Sequence, residues 1–318
     1  MTDTLPARFR SLVRRCAVAG LAAGLLASCG GGTTQIEPFI ASRYIAFGDE
    51  LSAFAPDGPN ARKYAVNGLA TDGVTRDCKV APIWTQVVAA LYGFGFAECP
   101  VGTGEQKAIA RAAPGARVAD LAGQVAAQTA AGGFTSKDLV TVLVGVNDIK
   151  ALYQQSLAPQ SRSEADLLAD AKALGDTIAA QVNTLVTLGA KVIVSTVPDV
   201  GLTPYAKAQG TAAATLMSNL TAALNGRIRV GILNDGRFVG LILADEFVQT
   251  AVRVPGLFSF VDAATPACAV ALPDCTTQTL VTGATAESWL WADDTWFTTA
   301  GHRRLGALAE ARAQLNPF

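Results

Sequence analysis

Short apolar runs of strand length alternate with longer runs of helical period from residue 44 almost to the end of the chain. No other feature narrows the fold so much. Residues 44–47, 109–112, 138–146, 191–195 and 238–243 read as strands, and 83–91, 118–130, 212–224 and 298–314 as helices. The run 138–146 (Asp-Leu-Val-Thr-Val-Leu-Val-Gly-Val) is apolar without alternation, as a strand covered on both faces should be. The clearest helix starts at Ser163, an N-cap with Asp166 three positions on, a variant of the capping box. Leu167, Ala171, Leu174, Ile178, Val182 and Leu185 then recur at spacings of three and four, and Gly189 is a C-terminal stop. This β-α order predicts a three-layer α/β/α, doubly wound and mainly parallel sheet in a single domain. Its site is expected at the carboxyl ends of the strands.

The first 28 residues read as an address. Arg8, Arg10, Arg14 and Arg15 form a basic region ahead of an apolar, small-residue stretch at 17–27. That stretch is shorter than the roughly 20 residues of a spanning helix. It ends in Leu26-Ala27-Ser28-Cys29, which resembles a bacterial lipobox, where cleavage frees Cys29 for diacylglycerol attachment. The competing reading is an ordinary secretory signal with a chance cysteine. Acyl chains on Cys29 would hold the protein on a membrane, since each buried methylene contributes about 0.8 kcal/mol. Similarity to lipoproteins of Gram-negative bacteria, with Gly30 rather than Asp after the cysteine, implies the outer membrane. The context of Arg14-Arg15 matches twin-arginine export poorly. Residues 29–40 then read as a lipid-anchored flexible tether and 41–318 as the domain. Hydrophobic residues make up 50% of the chain, enough for a large core. A net charge of −1 and no basic block after the signal argue against a nucleic-acid partner.

Beyond Cys16 and Cys29, four cysteines remain, which allow three pairings. Local pairing, Cys78 with Cys99 and Cys268 with Cys275, is the simplest, and disulfides suit an exported protein. The alternative is a metal site, but no CxxC spacing exists and the only histidine lies elsewhere. Neither metal nor cofactor is expected.

Five segments carry a more specific message. Gly48-Asp49-Glu50-Leu51-Ser52 follows the first strand, Arg111-Ala112-Ala113-Pro114-Gly115-Ala116-Arg117 the second, and Val144-Gly145-Val146-Asn147-Asp148 closes the third. Val197-Pro198-Asp199-Val200-Gly201-Leu202-Thr203-Pro204 follows the fourth. Asp293-Asp294-Thr295-Trp296-Phe297-Thr298-Thr299-Ala300-Gly301-His302 leads into the last helix. In order, they resemble the motifs of the GDSL (SGNH) hydrolases, and Thr265-Pro266-Ala267-Cys268 with Trp289-Leu290-Trp291-Ala292-Asp293 is similar to the tail of the secreted and autotransporter-type esterases. The resemblance covers nearly the whole chain after the tether. It implies ester hydrolysis, with Gly115 and Asn147 as oxyanion donors and Asp293 as the triad acid.

Two positions depart from the pattern. Glu50 stands where the family carries its nucleophilic serine, and Trp296 where it carries the catalytic histidine; Phe297 replaces the following proline. A serine hydroxyl attacks only once a base takes its proton, and the base must be held by an acid. Indole cannot serve as that base. His302 matches the second, helical histidine of the motif and reads as structural. Ser52 lies two positions too far along, expected to start a helix and face away. Glu50 itself is expected to fill the oxyanion site, accepting from Gly115 and Asn147, while Trp296 and Phe297 narrow the cleft. The leading expectation is a lipid-anchored, catalytically inactive relative that binds an acyl or acetylated envelope ligand or acts as a scaffold. A second reading keeps an ester hydrolase with a non-standard arrangement. A third pairs Glu50 and Asp293 on a glycosidic bond, which needs carboxylates about 5–5.5 or 6.5–9.5 Å apart.

Overall fold

A computed structural model describes residues 39–100, 106–158, 162–233 and 236–315; the signal segment, Cys29 and the tether as far as residue 38 lie outside the described residues. The apolar runs become strands β1 (Arg43–Gly48), β2 (Ala108–Ala110), β3 (Asp138–Leu143), β4 (Lys191–Ser195) and β5 (Val239–Ile242). All pair in parallel, in the order β2-β1-β3-β4-β5. Every residue of β3 is buried, as its unbroken apolar sequence requires. The strand order reverses direction between β1 and β3, and the carboxyl ends of those two strands form the crevice where doubly wound sheets place their sites.

Helices close both faces. α1 (Trp84–Leu91) packs with the final helix α8 (Thr299–Leu315), while α2 (Leu121–Ala130), α4 (Glu164–Thr187) and α6 (Thr211–Gly231) lie together; the result is a three-layer α/β/α fold. Ser163 caps α4 by accepting the Asp166 N–H at 3.2 Å. Two shorter helices, α5 (Pro204–Ala208) and α7 (Ala244–Arg253), follow β4 and β5. Among the described residues no helix is long and apolar enough to cross a membrane.

One expected strand is too long. The run 138–146 leaves the sheet after Leu143, and α3 (Val146–Ser156) begins at its last residue. Gly145, at φ 133°, turns the chain there. A second small parallel pair, β6 (Asp262–Pro266) and β7 (Trp289–Trp291), gave no periodic signal of its own. It anchors the tail, where Cys268 and Cys275 are joined at a Cα separation of 5.9 Å. Cys78 and Cys99 form the other disulfide, Cα atoms 5.8 Å apart, so the four cysteines are crosslinks and not metal ligands.

Between β1 and α1 the chain runs without helix or extended strand and is held by buried polar groups. Lys63 is fully buried, and its Nζ donates to the carbonyls of Cys78, Val80 and Ala81 at 2.8, 3.1 and 2.7 Å. Three acceptors match the three N–H bonds of an ammonium, while burial pulls the Lys63 pKa down to about 7.

Candidate active site

Two glycines shape the crevice. Gly48 ends β1 at φ 139°, where an added Cβ would lie 1.8 Å from the Leu143 carbonyl oxygen. At Gly145, a Cβ would lie 2.8 Å from Val197 Cγ2. Only glycine accepts both the backbone angle and the close approach. β1 therefore delivers Asp49 and Glu50 over the end of the sheet, and β3 delivers Asn147 into the first turn of α3.

The Glu50 carboxylate lies between two donors. Oε1 accepts the Gly115 backbone N–H at 2.7 Å, and Oε2 accepts Asn147 Nδ2 at 2.8 Å. The same amide nitrogen donates to the Ala116 carbonyl at 3.1 Å, which fixes its rotamer. Hydrogen bonds to an ionised acceptor are roughly twice as strong as neutral ones. Glu50, at the position expected to carry a serine, thus binds both Gly115 and Asn147, the two expected oxyanion donors.

Asp293 and Trp296 meet through the backbone. Asp293 Oδ1 accepts the N–H groups of Thr295 and Trp296 at 2.9 and 2.7 Å, which coils the loop around the carboxylate. Burial raises the Asp293 pKa above its ordinary value, against the pull of those two N–H groups and of the Lys150 charge. Lys150, on α3, donates from Nζ to Thr295 Oγ1 at 3.0 Å and sits 4.3 Å above the Tyr205 ring. Trp296 is 7% exposed. Phe297 does not narrow the cleft: it is buried in the core, its ring 5.3 Å from Trp291 and 6.0 Å from Phe247. Trp296 and Phe297 both belong to the buried core cluster.

The family model for GDSL-like lipase/acylhydrolase matches residues 44–309 of this chain. The chain belongs to that family. No curated protein matches it. Among solved structures, a member of the lipolytic protein G-D-S-L family from Veillonella parvula is 11% identical, with 84% of this chain and 95% of that chain covered and a TM-score of 0.45. A phospholipase A1 from Streptomyces albidoflavus is 18% identical, covering 86% and 99%, with a TM-score of 0.44. A catalytic mutant of an acetylxylan esterase from Geobacillus stearothermophilus is 11% identical, covering 87% and 96%, with a TM-score of 0.45.

The Ser52 hydroxyl and the His302 imidazole of this GDSL chain both hydrogen-bond to Trp84. Ser52 is fully buried, and its Oγ accepts the Trp84 indole N–H at 3.2 Å. No helix starts there; residues 50–52 form a turn, because the Ser52 N–H is already bound to the Asp49 carbonyl at 2.9 Å. His302 Nδ1 accepts the backbone N–H of the same Trp84 at 3.4 Å, while its Nε2 has no hydrogen-bond partner. Trp84 thus engages the hydroxyl with one N–H and the imidazole with another, and both groups are sealed from solvent. Burial, helped by the Lys63 charge, pushes the His302 pKa down to about 3.

Around Glu50, burial acts on two more carboxyls. Asp49 is fully buried, and burial together with the Glu50 charge raises its pKa well above the ordinary range. Its Oδ1 accepts the Leu51 N–H at 3.1 Å, and Oδ2 has no partner. Asp148 is pushed up to about 6 by burial, opposed by the Val118 N–H at 2.9 Å. Lys150 is the member of the site that sequence reasoning missed. It lies three residues after Asn147 on a helix whose first residue was assigned to a strand, and i, i+3 neighbours share a face. Among the described residues no three His, Cys, Asp or Glu side chains cluster to hold a metal ion.

Proposed function

We propose that this GDSL protein is a catalytically silent relative of the ester hydrolases, exported and held at the bacterial envelope by lipid on Cys29. The observation that carries the silent reading is the pair of hydrogen bonds from Gly115 and Asn147 to Glu50. Ester hydrolysis needs those donors aimed at an oxygen that becomes negative only in the transition state. Here the Glu50 side chain takes them in the ground state, so a substrate carbonyl must first displace it. Ser52, the hydroxyl nearest the motif position in sequence, is buried and bound to Trp84. The His302 imidazole is buried too, with Nδ1 accepting the Trp84 backbone N–H. The paired-carboxylate reading is weakened on the same ground: both Glu50 oxygens are bound, and Asp293 Oδ1 is taken by two backbone N–H groups.

The lipobox-like Leu26-Ala27-Ser28-Cys29 supports anchoring, and the two disulfides support an oxidising compartment. The outer membrane is the address that Gly30 favours. The work left to the crevice is to bind an acyl or acetylated envelope compound, or to serve as a rigid scaffold. The test is turnover of p-nitrophenyl acetate and butyrate, with fluorophosphonate labelling alongside. No hydrolysis above buffer and no serine adduct are expected. Hydrolysis that disappears in Glu50→Ala would overturn the reading.

A further inference from the structure

We propose that the amino-end edge of the sheet, opposite the crevice, is a docking face for the anionic headgroup surface of a bilayer. A basic residue stands at the start of every strand of the main sheet. Lys107 precedes β2, Arg43 opens β1, Lys137 precedes β3, Lys191 opens β4, and Arg237 lies two positions before β5. In the spatial order of the sheet these five form a row, and strands about 4.8 Å apart make that row about 19 Å long. Lys107, Lys137 and Arg237 are exposed. Asp138, at the same edge, is buried and bound by Arg43, whose Nη2 lies 2.6 Å from its Oδ2.

Apolar side chains share this edge. Ile40 is 71% exposed, Leu233, just ahead of β5, is 58% exposed, and Leu315, at the end of α8, is 81% exposed. Phe39, Ile40, Leu91 and Tyr92 line a cavity of about 440 Å³ with Ala313 of α8. Cations beside exposed aliphatic and aromatic groups suit an interface where headgroup charge lies next to hydrocarbon.

The chain itself points to the same occupant. Phe39 belongs to this edge, and Cys29 lies ten residues ahead of it. A fully extended tether of that length spans at most about 35 Å. The face therefore rests on the anchoring reading for its proximity to lipid, and on its own charges and apolar groups for its orientation. Docked this way, the crevice with Glu50 points away from the bilayer.

The test uses the full chain, lipidated, in neutral phosphatidylcholine vesicles with and without phosphatidylglycerol. Amines are acylated briefly and read by peptide mass spectrometry. At low salt, Lys107 and Lys137 should react roughly fivefold more slowly in the anionic vesicles, and about 0.5 M salt should remove the difference. Lys172 on α4 and Lys207 on α5 should not change. Equal reactivity of Lys107 and Lys137 in both vesicles overturns the proposal. The intact mass reports separately whether Cys29 carries lipid. If it does not, the same vesicles added to a Cys29→Ser chain decide the face alone: slowed Lys107 and Lys137 sustain it, and unchanged rates remove it.

Discussion

At the scale of single residues, the proposed silence divides between Glu50 and Trp296. Restoring one part leaves the other absent, so Glu50→Ser and Trp296→His should each remain inactive on p-nitrophenyl acetate. The double variant should hydrolyse it, because Gly115 and Asn147 would then be free to receive an oxyanion and Asp293 would be in place to orient an imidazole. Adding Asn147→Ala to the double variant should lower kcat by about a hundredfold, the usual cost of one oxyanion donor. A double variant that folds but stays inactive would mean that Trp296 and its loop have moved out of register with Glu50. The meeting of Glu50 with Gly115 and Asn147 was legible in the sequence, since all three sit at motif positions. The destination of Phe297 was not. Its ring packs on Phe247, fifty residues earlier in the chain, and no local periodicity marks that contact.

At the scale of elements, strands and long helices were legible because burial writes a period into the chain. β3 and α4 are the clearest cases: one is apolar without a break, the other apolar every third and fourth residue. The same signal misled at 138–146, where continuity of apolar residues concealed the break at Gly145 and, with it, the start of α3 and the place of Lys150. The β6–β7 pair was missed because short elements offer too few residues for a period to show, whereas α7 spans ten residues and was passed over despite its apolar face of Phe247, Val248 and Ala251. The irregular stretch between β1 and α1 illustrates the opposite limit. Its order depends on one lysine side chain reaching three carbonyls 15 to 18 residues away, a contact no local pattern announces. Lys63→Met keeps most of the volume but leaves those carbonyls unpaired. It should cost about 3 kcal/mol in urea unfolding, in line with buried groups left without partners. Protease cleavage should then appear first between residues 64 and 83.

At the scale of the whole molecule, stability against acid sets one histidine against the carboxyls Asp49, Asp148 and Asp293, whose pKa values burial raises. His302 has a folded pKa of about 3 against an ordinary 6.5, because burial disfavours its charged form. The unfolded chain therefore binds the proton first, and this group costs roughly 1.4 kcal/mol of stability for each pH unit below 6.5, until pH 3 is reached. Asp148 works in the other sense. Its folded pKa of about 6 exceeds the ordinary 3.8, so the folded state takes up the proton first and gains stability as pH falls from 6 to 4. Asp49, raised by burial and by Glu50, adds to that gain. Between pH 6 and 4 Asp148 alone offsets the histidine and the other raised carboxyls add to its side, so the urea midpoint should hold or rise there and drop only below pH 4. Asp148→Asn removes one opposing group while keeping an acceptor for the Val118 N–H. Its midpoint should fall relative to the parent's from pH 6 downward. Because His302 is the only histidine in the chain, a single imidazole resonance reports its state. That resonance should stay flat from pH 8 to 4 in the folded protein. A midpoint near 6.5 would show that water reaches the imidazole and that the acid limb of stability arises elsewhere.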